Sequence, residues 1–267
     1  MRKVLIPKKD YVKELIKIIR VTKDEQKLRN LLSDYHEKDI AEAITFLTET
    51  ERKHLYHVLG SERIAEIFSY FDDAEMYLEE LSLEQAAKVV SYMDADDALD
   101  VLDDLSESKK NAIVSHLDAD AQKDVQKLLS YEEDEIGSCM TNNFVCISEK
   151  LSVREAMSEL VRQAGEHDNI STIYVTDEEE KFAGAIDLKD LIIARENTPL
   201  QEIISSSYPY VYEHEKISEC VEKIADYEED SIPVLTQDGK IAGILTATDI
   251  VELVDDAMGD DYAKLAG

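Results

Sequence analysis

The chain has 267 residues, 44% of them apolar, a content that fits a folded protein of two or three domains rather than a disordered one. Its three cysteines form no CxxC pair, so neither a disulfide framework nor a thiolate zinc site is expected. The sequence shows no apolar run near the ~20 residues that cross a bilayer and no signal peptide, which predicts a soluble cytosolic chain.

The net charge of −31 is unevenly distributed along the chain. Residues 1–29 hold ten Lys and Arg against four Asp and Glu, a net of +6, so the remaining residues carry −37. Such a surface repels nucleic acid and anionic lipid. Multivalent cations are therefore the expected partners.

The N-terminal part predicts one or two amphipathic helices, over residues Tyr11 to Ile19 and Leu28 to Leu32. The first is rich in lysine and could lie on a membrane surface. Its short length favours the other interpretation, in which it packs on the neighbouring helices.

A short repeat then begins at Leu47. An apolar residue followed by a capping residue and acids recurs seven times, at intervals of twelve residues with one interval of ten. The segments are LTETE, LGSER, FDDAE, LSLEQ, MDADD, LSESK and LDADA, beginning at residues 47, 59, 71, 81, 93, 105 and 117. Ser, Thr or Asp stands at each expected N-cap, so each period predicts one short helix. Helices of this length are marginal alone, which predicts an all-α superhelix over residues 1–130.

One repeat contains a dense group of acids, MDADDALDVLDD. Asp96 and Asp100 stand one turn apart on one helix face, with Asp97, Asp103 and Asp104 beside them. Paired carboxylates attract a divalent cation, and Mg²⁺ prefers oxygen ligands and keeps several waters. The alternative is a solvated acidic face with Asp94 as its N-cap.

The second half contains a duplicated segment. STIYVTDEEEKFAGAIDLKDLI and DSIPVLTQDGKIAGILTATDIV align without a gap at an offset of 59 residues. Each copy predicts two buried strands joined by a hairpin and then a helix, with a further helix ahead of them. A glycine enters each second strand and an Asp opens the helix after it, as Gly184 with Asp190 and Gly243 with Asp249. The glycines could simply allow close packing, and the aspartates could simply cap helices.

This duplicated pattern resembles the tandem CBS domain, or Bateman module, a ligand-sensing element. With the short-helix superhelix, the linker YEEDEIGSCMT and the C-terminal DDAMGDDYAKL, the order resembles the cytosolic part of MgtE-type magnesium channels. The resemblance implies an α+β multidomain protein with domains at residues 1–130, 131–198 and 199–267. It also implies a homodimer through the CBS domains and a transmembrane pore domain in the full-length chain, which places this region at the cytoplasmic face of the cell membrane.

The resemblance further implies where Mg²⁺ binds. Acids matching Asp96 and Asp100 face the CBS module and share ions with its residues, while a second group lies near the start of the connecting helix. The metal residues carried over are Asp96, Asp100, Asp249, Glu228, the Ala225 carbonyl, Asp260, Asp261 and, with a less certain alignment, Glu66.

The rival function for a CBS pair is adenine-nucleotide binding, without a transport role. The resemblance implies ATP as a secondary ligand at Lys189, Asp190 and the strand around Ile173. Thr246 with Asp249 fits the nucleotide pattern, whereas Asp187 ahead of Asp190 would repel phosphate. The sequence shows no nucleophile constellation, P-loop or GxGxxG motif, so no catalysis is expected.

Overall fold

The computed structural model describes residues 11–71, 73–196, 198–227 and 229–254. The chain divides into two compact units. The first comprises the chain up to Met93 together with Asp97–Lys123, and the second comprises Asp94–Asp96 and the chain from Asp124 onward. Each unit is described separately.

Short helices make up the described chain before residue 130. They are α1 (Tyr11–Val21), α2 (Glu25–Leu32), α3 (Glu37–Ile44), α4 (Glu49–Leu59), α5 (Ser61–Phe68), α6 (Ala74–Leu78), α7 (Leu83–Val90), α8 (Ala95–Asp103), α9 (Glu107–Val114) and α10 (Ala119–Leu128). The seven helices predicted from the repeat are α4 to α10, so that prediction is confirmed. The 10-residue interval produces α6, which has only five residues.

Several repeat helices begin at the predicted caps, whereas α5 has Gly60 as its N-cap and the predicted cap Ser61 is its first helical residue. Thr48 and Ser82 form complete capping boxes, in which the cap hydroxyl accepts from the N3 amide and the N3 side chain accepts from the cap amide. Asp118 Oδ1 likewise accepts from the Ala121 amide at 3.0 Å. The predicted cap Asp72 lies outside the described residues, and α6 has Asp73 as its N-cap without a side-chain hydrogen bond.

Alternate helices stack on one another in the first unit, in the order α1, α3, α5, α7 and α9. Helix α1 buries Leu15 and Ile19, so it packs on its neighbours, as the sequence favoured. Helix α3 was not predicted. Its N-cap is His36, whose ring nitrogen accepts from the Lys38 amide, and histidine is not among the residues that mark helix starts.

The second unit contains two small sheets of the same topology. The first has β1 (Val145–Ser148), β2 (Thr172–Thr176) and β3 (Phe182–Asp187), with α11 (Val153–Gln163) between β1 and β2 and α12 (Leu188–Ile193) after β3. The second has β4 (Val211–Tyr212), β5 (Ser231–Leu235) and β6 (Ile241–Thr246), with α13 (Ile217–Ala225) between β4 and β5 and a helix over residues 247–254. In each sheet the first strand pairs in parallel and the hairpin pairs antiparallel. The predicted hairpins and helices are confirmed, whereas β1 and β4 were not predicted.

The segment before each copy pairs with the sheet of the other copy. Thr141 exchanges two backbone hydrogen bonds of 2.9 Å with Ile244 in β6, and Ser205 exchanges bonds of 2.8 and 3.2 Å with Ala185 in β3. This crossing explains the two glycines. A Cβ at Gly184 would lie 2.5 Å from the Ser205 oxygen, and a Cβ at Gly243 would lie 2.8 Å from the Thr141 oxygen.

The interior between the two copies is centred on Tyr174, which is fully buried with Ala185 and Ile244. Its hydroxyl lies 2.6 Å from the Ser231 hydroxyl in β5. A buried hydroxyl without a partner costs about 1–3 kcal/mol, so this contact ties the first sheet to the second. Burial raises the pKa of Tyr174 well above its ordinary value.

Candidate metal and ligand sites

Helix α8 carries the two acids that the sequence selected. Asp96 lies in its first turn and is half-buried, and Asp100 lies one turn later and is exposed. Residues at this spacing face the same side of a helix, where like charges destabilise it by about 0.2–0.5 kcal/mol. A divalent cation at this pair would remove that repulsion.

The neighbouring acids of α8 have protein partners. Asp97 is half-buried in the first turn of α8, with the Ser69 hydroxyl beside it. Burial raises the pKa of Asp97 above its ordinary value, and the nearby polar Ser69 side chain partly offsets this. The Asp103 carboxylate pairs with the Lys110 ammonium group. Asp97 therefore has a structural role that the sequence pattern did not reveal, because Ser69 lies far from it in sequence.

Asp249 is the third residue of the helix that follows β6, and Thr246 is the N-cap of that helix. The Asp249 Oδ2 accepts from the Thr246 amide at 2.6 Å, and the Thr246 hydroxyl accepts from the Asp249 amide at 3.3 Å. This is a reciprocal capping arrangement, which the sequence had offered as the simpler interpretation. A carboxylate in this position is fixed in direction by its backbone partner.

The remaining metal candidates are only partly described. Glu66 is an exposed residue of α5 in the first unit, and Ala225 is the last residue of α13 in the second. Glu228, Asp260 and Asp261 lie outside the described residues. Within the described residues, no group of three or more His, Cys, Asp or Glu side chains is arranged to hold a metal ion. The carboxylate pair of α8 still suits Mg²⁺, since this ion commonly binds through one or two carboxylates and keeps waters.

The nucleotide candidates lie at the start of α12. Lys189 and Asp190 are exposed in its first turn, whereas Ile173 is fully buried in β2. Asp187 is the N-cap, and its Oδ1 accepts from the Lys189 amide at 2.7 Å. This carboxylate occupies the helix N-terminus, where backbone amides would otherwise favour phosphate.

The acidic linker that begins at Tyr131 is held against the second copy of the duplicated segment. The Lys216 ammonium group donates to Glu132 at 2.9 Å and to Asp134 at 2.6 Å. The Tyr131 hydroxyl donates to Glu213 at 2.8 Å. The sequence identified this linker as a motif but did not predict its ion pairs. Charges that pair across more than 80 residues leave no local pattern in the sequence.

The described part of the chain contains no helix with the length and apolar content to cross a membrane.

Residues 35–134 match the family of the MgtE intracellular N domain, and residues 135–197 and 200–256 match the CBS domain. The fold and these matches show that the chain consists of an MgtE-type N domain joined to a tandem CBS pair, which confirms the predicted fold class and family.

The chain is homologous to the MgtE magnesium transporters. It is 35% identical to the magnesium transporter MgtE of Enterococcus faecalis over 256 residues, which are 94% of this chain and 56% of that protein. The chain therefore spans about half the length of the curated relatives it matches.

Two solved structures share the fold over nearly the whole chain. The crystal structure of the soluble part of a magnesium transporter has a TM-score of 0.86 and 29% identity, covering 92% of this chain and 98% of that chain. The cytosolic domain of the Mg²⁺ channel MgtE in complex with ATP has a TM-score of 0.79 and 27% identity, covering 91% and 99%.

Proposed function

We propose that this chain is the cytosolic Mg²⁺-sensing region of a magnesium channel, and that Mg²⁺ at its acidic sites closes the pore. The observation that carries the proposal is the match over 92% of the chain to the soluble part of a magnesium transporter. The strongly acidic body and the carboxylate pair of α8 support it, because both favour a divalent cation.

The residues that would hold the ions come from both units. Asp96 and Asp100 would bind together with Asp249, Glu228 and the Ala225 carbonyl, and Glu66 would be a further ligand. Asp260 and Asp261 would bind near the pore domain. At high Mg²⁺ these carboxylates lose their mutual repulsion and the units can draw together, whereas at low Mg²⁺ repulsion separates them.

The wider assignment follows from the same homology. The domains would span residues 1–130, 131–198 and 199–267, and the region would lie at the cytoplasmic face of the cell membrane, attached to the pore domain of the same protein. Its role would be regulatory, without catalysis and without binding to nucleic acid.

Calorimetry and small-angle scattering with MgCl₂ test the proposal. We expect several Mg²⁺ sites and a decrease in the radius of gyration at millimolar Mg²⁺. The variant Asp96→Ala/Asp100→Ala should lose most of this compaction. Its matched control is Glu84→Ala/Glu107→Ala, which removes the same charge from two exposed acids of α7 and α9. Equal compaction in both variants would refute the role of α8, and an absence of Mg²⁺ binding to the unaltered chain would refute the function.

ATP is the second ligand to test, because one structural relative was solved in complex with ATP. Lys189 and Asp190 would contact the nucleotide near Ile173. The Asp187 carboxylate argues against a triphosphate at the N-terminus of α12, so adenosine should bind about as well as ATP in the absence of Mg²⁺. Binding of ATP alone, without Mg²⁺ binding, would favour the rival function of a nucleotide-responsive CBS module on a helical docking scaffold.

A homodimer through the CBS pair completes the proposal. Val161 on α11, Ile192 and Ile193 on α12, and Val251 in the helix over residues 247–254 are all exposed. Two-fold pairing is the usual way to bury such a surface in soluble proteins. Light scattering at micromolar concentration should give a dimeric mass.

A further inference from the structure

Three stacked helices of the first unit end in the same way. Thr45, Ser69 and Ser91 are the C-caps of α3, α5 and α7, and each hydroxyl donates to a carbonyl three or four residues earlier. The residue after each of these C-caps is aromatic, and its side chain is exposed. These rings are Phe46, Tyr70 and Tyr92, which are 60%, 47% and 51% exposed. They define an edge that we call the ring edge.

The ring edge favours cations for two reasons. Each ring stands at a helix C-terminus, where the backbone carries a partial negative charge. Each ring face also attracts an ammonium or guanidinium group. The chain itself provides one example, since Arg20 Nη2 donates to the Phe46 carbonyl at 3.2 Å while its Nε donates to Glu51 at 2.8 Å.

A recess of about 280 Å³ lies between α5 and α7, beside Tyr92. Glu62 and Glu66 lie on its α5 side, and Lys88 and Tyr92 lie on its α7 side. Two carboxylates and an aromatic ring suit a guanidinium group, which combines a planar cation with hydrogen-bond donors. Arg63 and Lys88 also line the recess, and their positive charges oppose a cation. The Arg63 guanidinium group is already paired with Glu37, which leaves Lys88 as the main unfavourable residue.

We propose that the ring edge binds an extended segment of another polypeptide with arginine at every third position, one arginine lying in the recess. Stacked helices lie about 8–10 Å apart. An extended segment in the polyproline II conformation has three residues per turn and rises about 9.3 Å over them, so arginines at every third position lie on one side and one can reach each ring. The segment's positive charge complements the acidic body of the protein.

Two synthetic peptides of the same composition test the proposal, one with arginines at every third position and one with contiguous arginines. Fluorescence anisotropy in Mg²⁺-free buffer at fixed ionic strength keeps the result independent of Mg²⁺ sensing. The spaced peptide should bind more tightly. Tyr70→Leu and Tyr92→Leu should each weaken it about two- to fivefold, as expected for loss of an exposed cation–π contact. Lys88→Glu should strengthen it.

Tyr227→Leu is the matched control, since Tyr227 is an exposed tyrosine of the second unit. It should leave the affinity unchanged, and circular dichroism should show that all variants remain folded. Equal affinity for the two peptides, or equal effects of Tyr92→Leu and Tyr227→Leu, would overturn the proposal and leave only general attraction to an acidic surface.

Discussion

Gly184 allows a quantitative test of the crossing between the two CBS copies. An alanine there would be held at a φ of +149°, with its Cβ 2.5 Å from the Ser205 oxygen and 2.7 Å from Ile204 Cγ2. Ordinary contacts begin near 3.4 Å, so the Ser205 backbone would have to move by about 0.9 Å. This movement would weaken the two hydrogen bonds between Ala185 and Ser205.

Two contributions set the expected loss of stability. An alanine held in a disfavoured backbone conformation costs about 1–3 kcal/mol. Overpacking against backbone costs about 1–3 kcal/mol more. Gly239 separates these contributions, because its φ is +86° but the nearest atom to its Cβ would be Lys181 Cγ at 3.9 Å. Gly184→Ala should therefore destabilise the second unit by about 1–3 kcal/mol more than Gly239→Ala.

Hydrogen exchange by mass spectrometry measures this difference locally, on peptides that cover β2 and β3. Urea unfolding followed by tyrosine fluorescence gives the global comparison, since the chain has 13 tyrosines and no tryptophan. Protection of β3 should fall further in Gly184→Ala than in Gly239→Ala. If the two variants lose equal protection, the close approach to Ser205 contributes nothing and the reasoning is refuted.

Three further predictions concern charge and assembly. Asp96→Ala/Asp100→Ala should raise helix stability without Mg²⁺ and reduce the rise in melting temperature that MgCl₂ produces; an unchanged rise would remove these acids from the site. Ile193→Asp should convert the dimer to a monomer in light scattering, and a dimeric mass would exclude α12 from the interface. Hydrogen bonds from Arg20 and Thr48 lower the pKa of Glu51 to about 2. The ionised Glu51 side chain therefore stabilises the folded state fully above the ordinary pKa of a glutamate, and this stabilisation is lost as the pH falls towards 2. The difference in urea midpoint between Glu51→Gln and the unaltered chain should therefore shrink between pH 6 and pH 2.5, and a constant difference would contradict this.

The elements that sequence predicted correctly are those with strong local signals. The repeat helices combine an N-cap with acids at fixed spacing, as at Thr48 and Ser82, and the hairpins occur twice. The missed elements lack such signals. Strand β4 has only two residues, and α3 begins at a histidine cap. A short strand stabilised by a distant partner has no periodicity of its own to detect.

The sequence predicted which acidic residues could form the candidate sites, but not which contacts those residues make. The sequence placed Asp96 and Asp100 on one helix face, and α8 has this geometry. It could not distinguish them from Asp97, which lies beside Ser69, because that contact depends on the stacking of helices. Capping and metal binding also use the same chemistry. The Asp249 carboxylate satisfies the Thr246 amide, and sequence alone cannot separate that role from ion binding.

The crossing segments constrain how the second unit can respond to a ligand. Separating the two CBS copies would break the bonds between Thr141 and Ile244 and those between Ala185 and Ser205. It would also expose Tyr174 and break its contact with Ser231. Each buried group left without a partner costs about 1–3 kcal/mol, which is comparable to a whole allosteric coupling energy. Ligand binding should therefore act on side chains and helix ends such as Asp249, while the two sheets remain joined as one body.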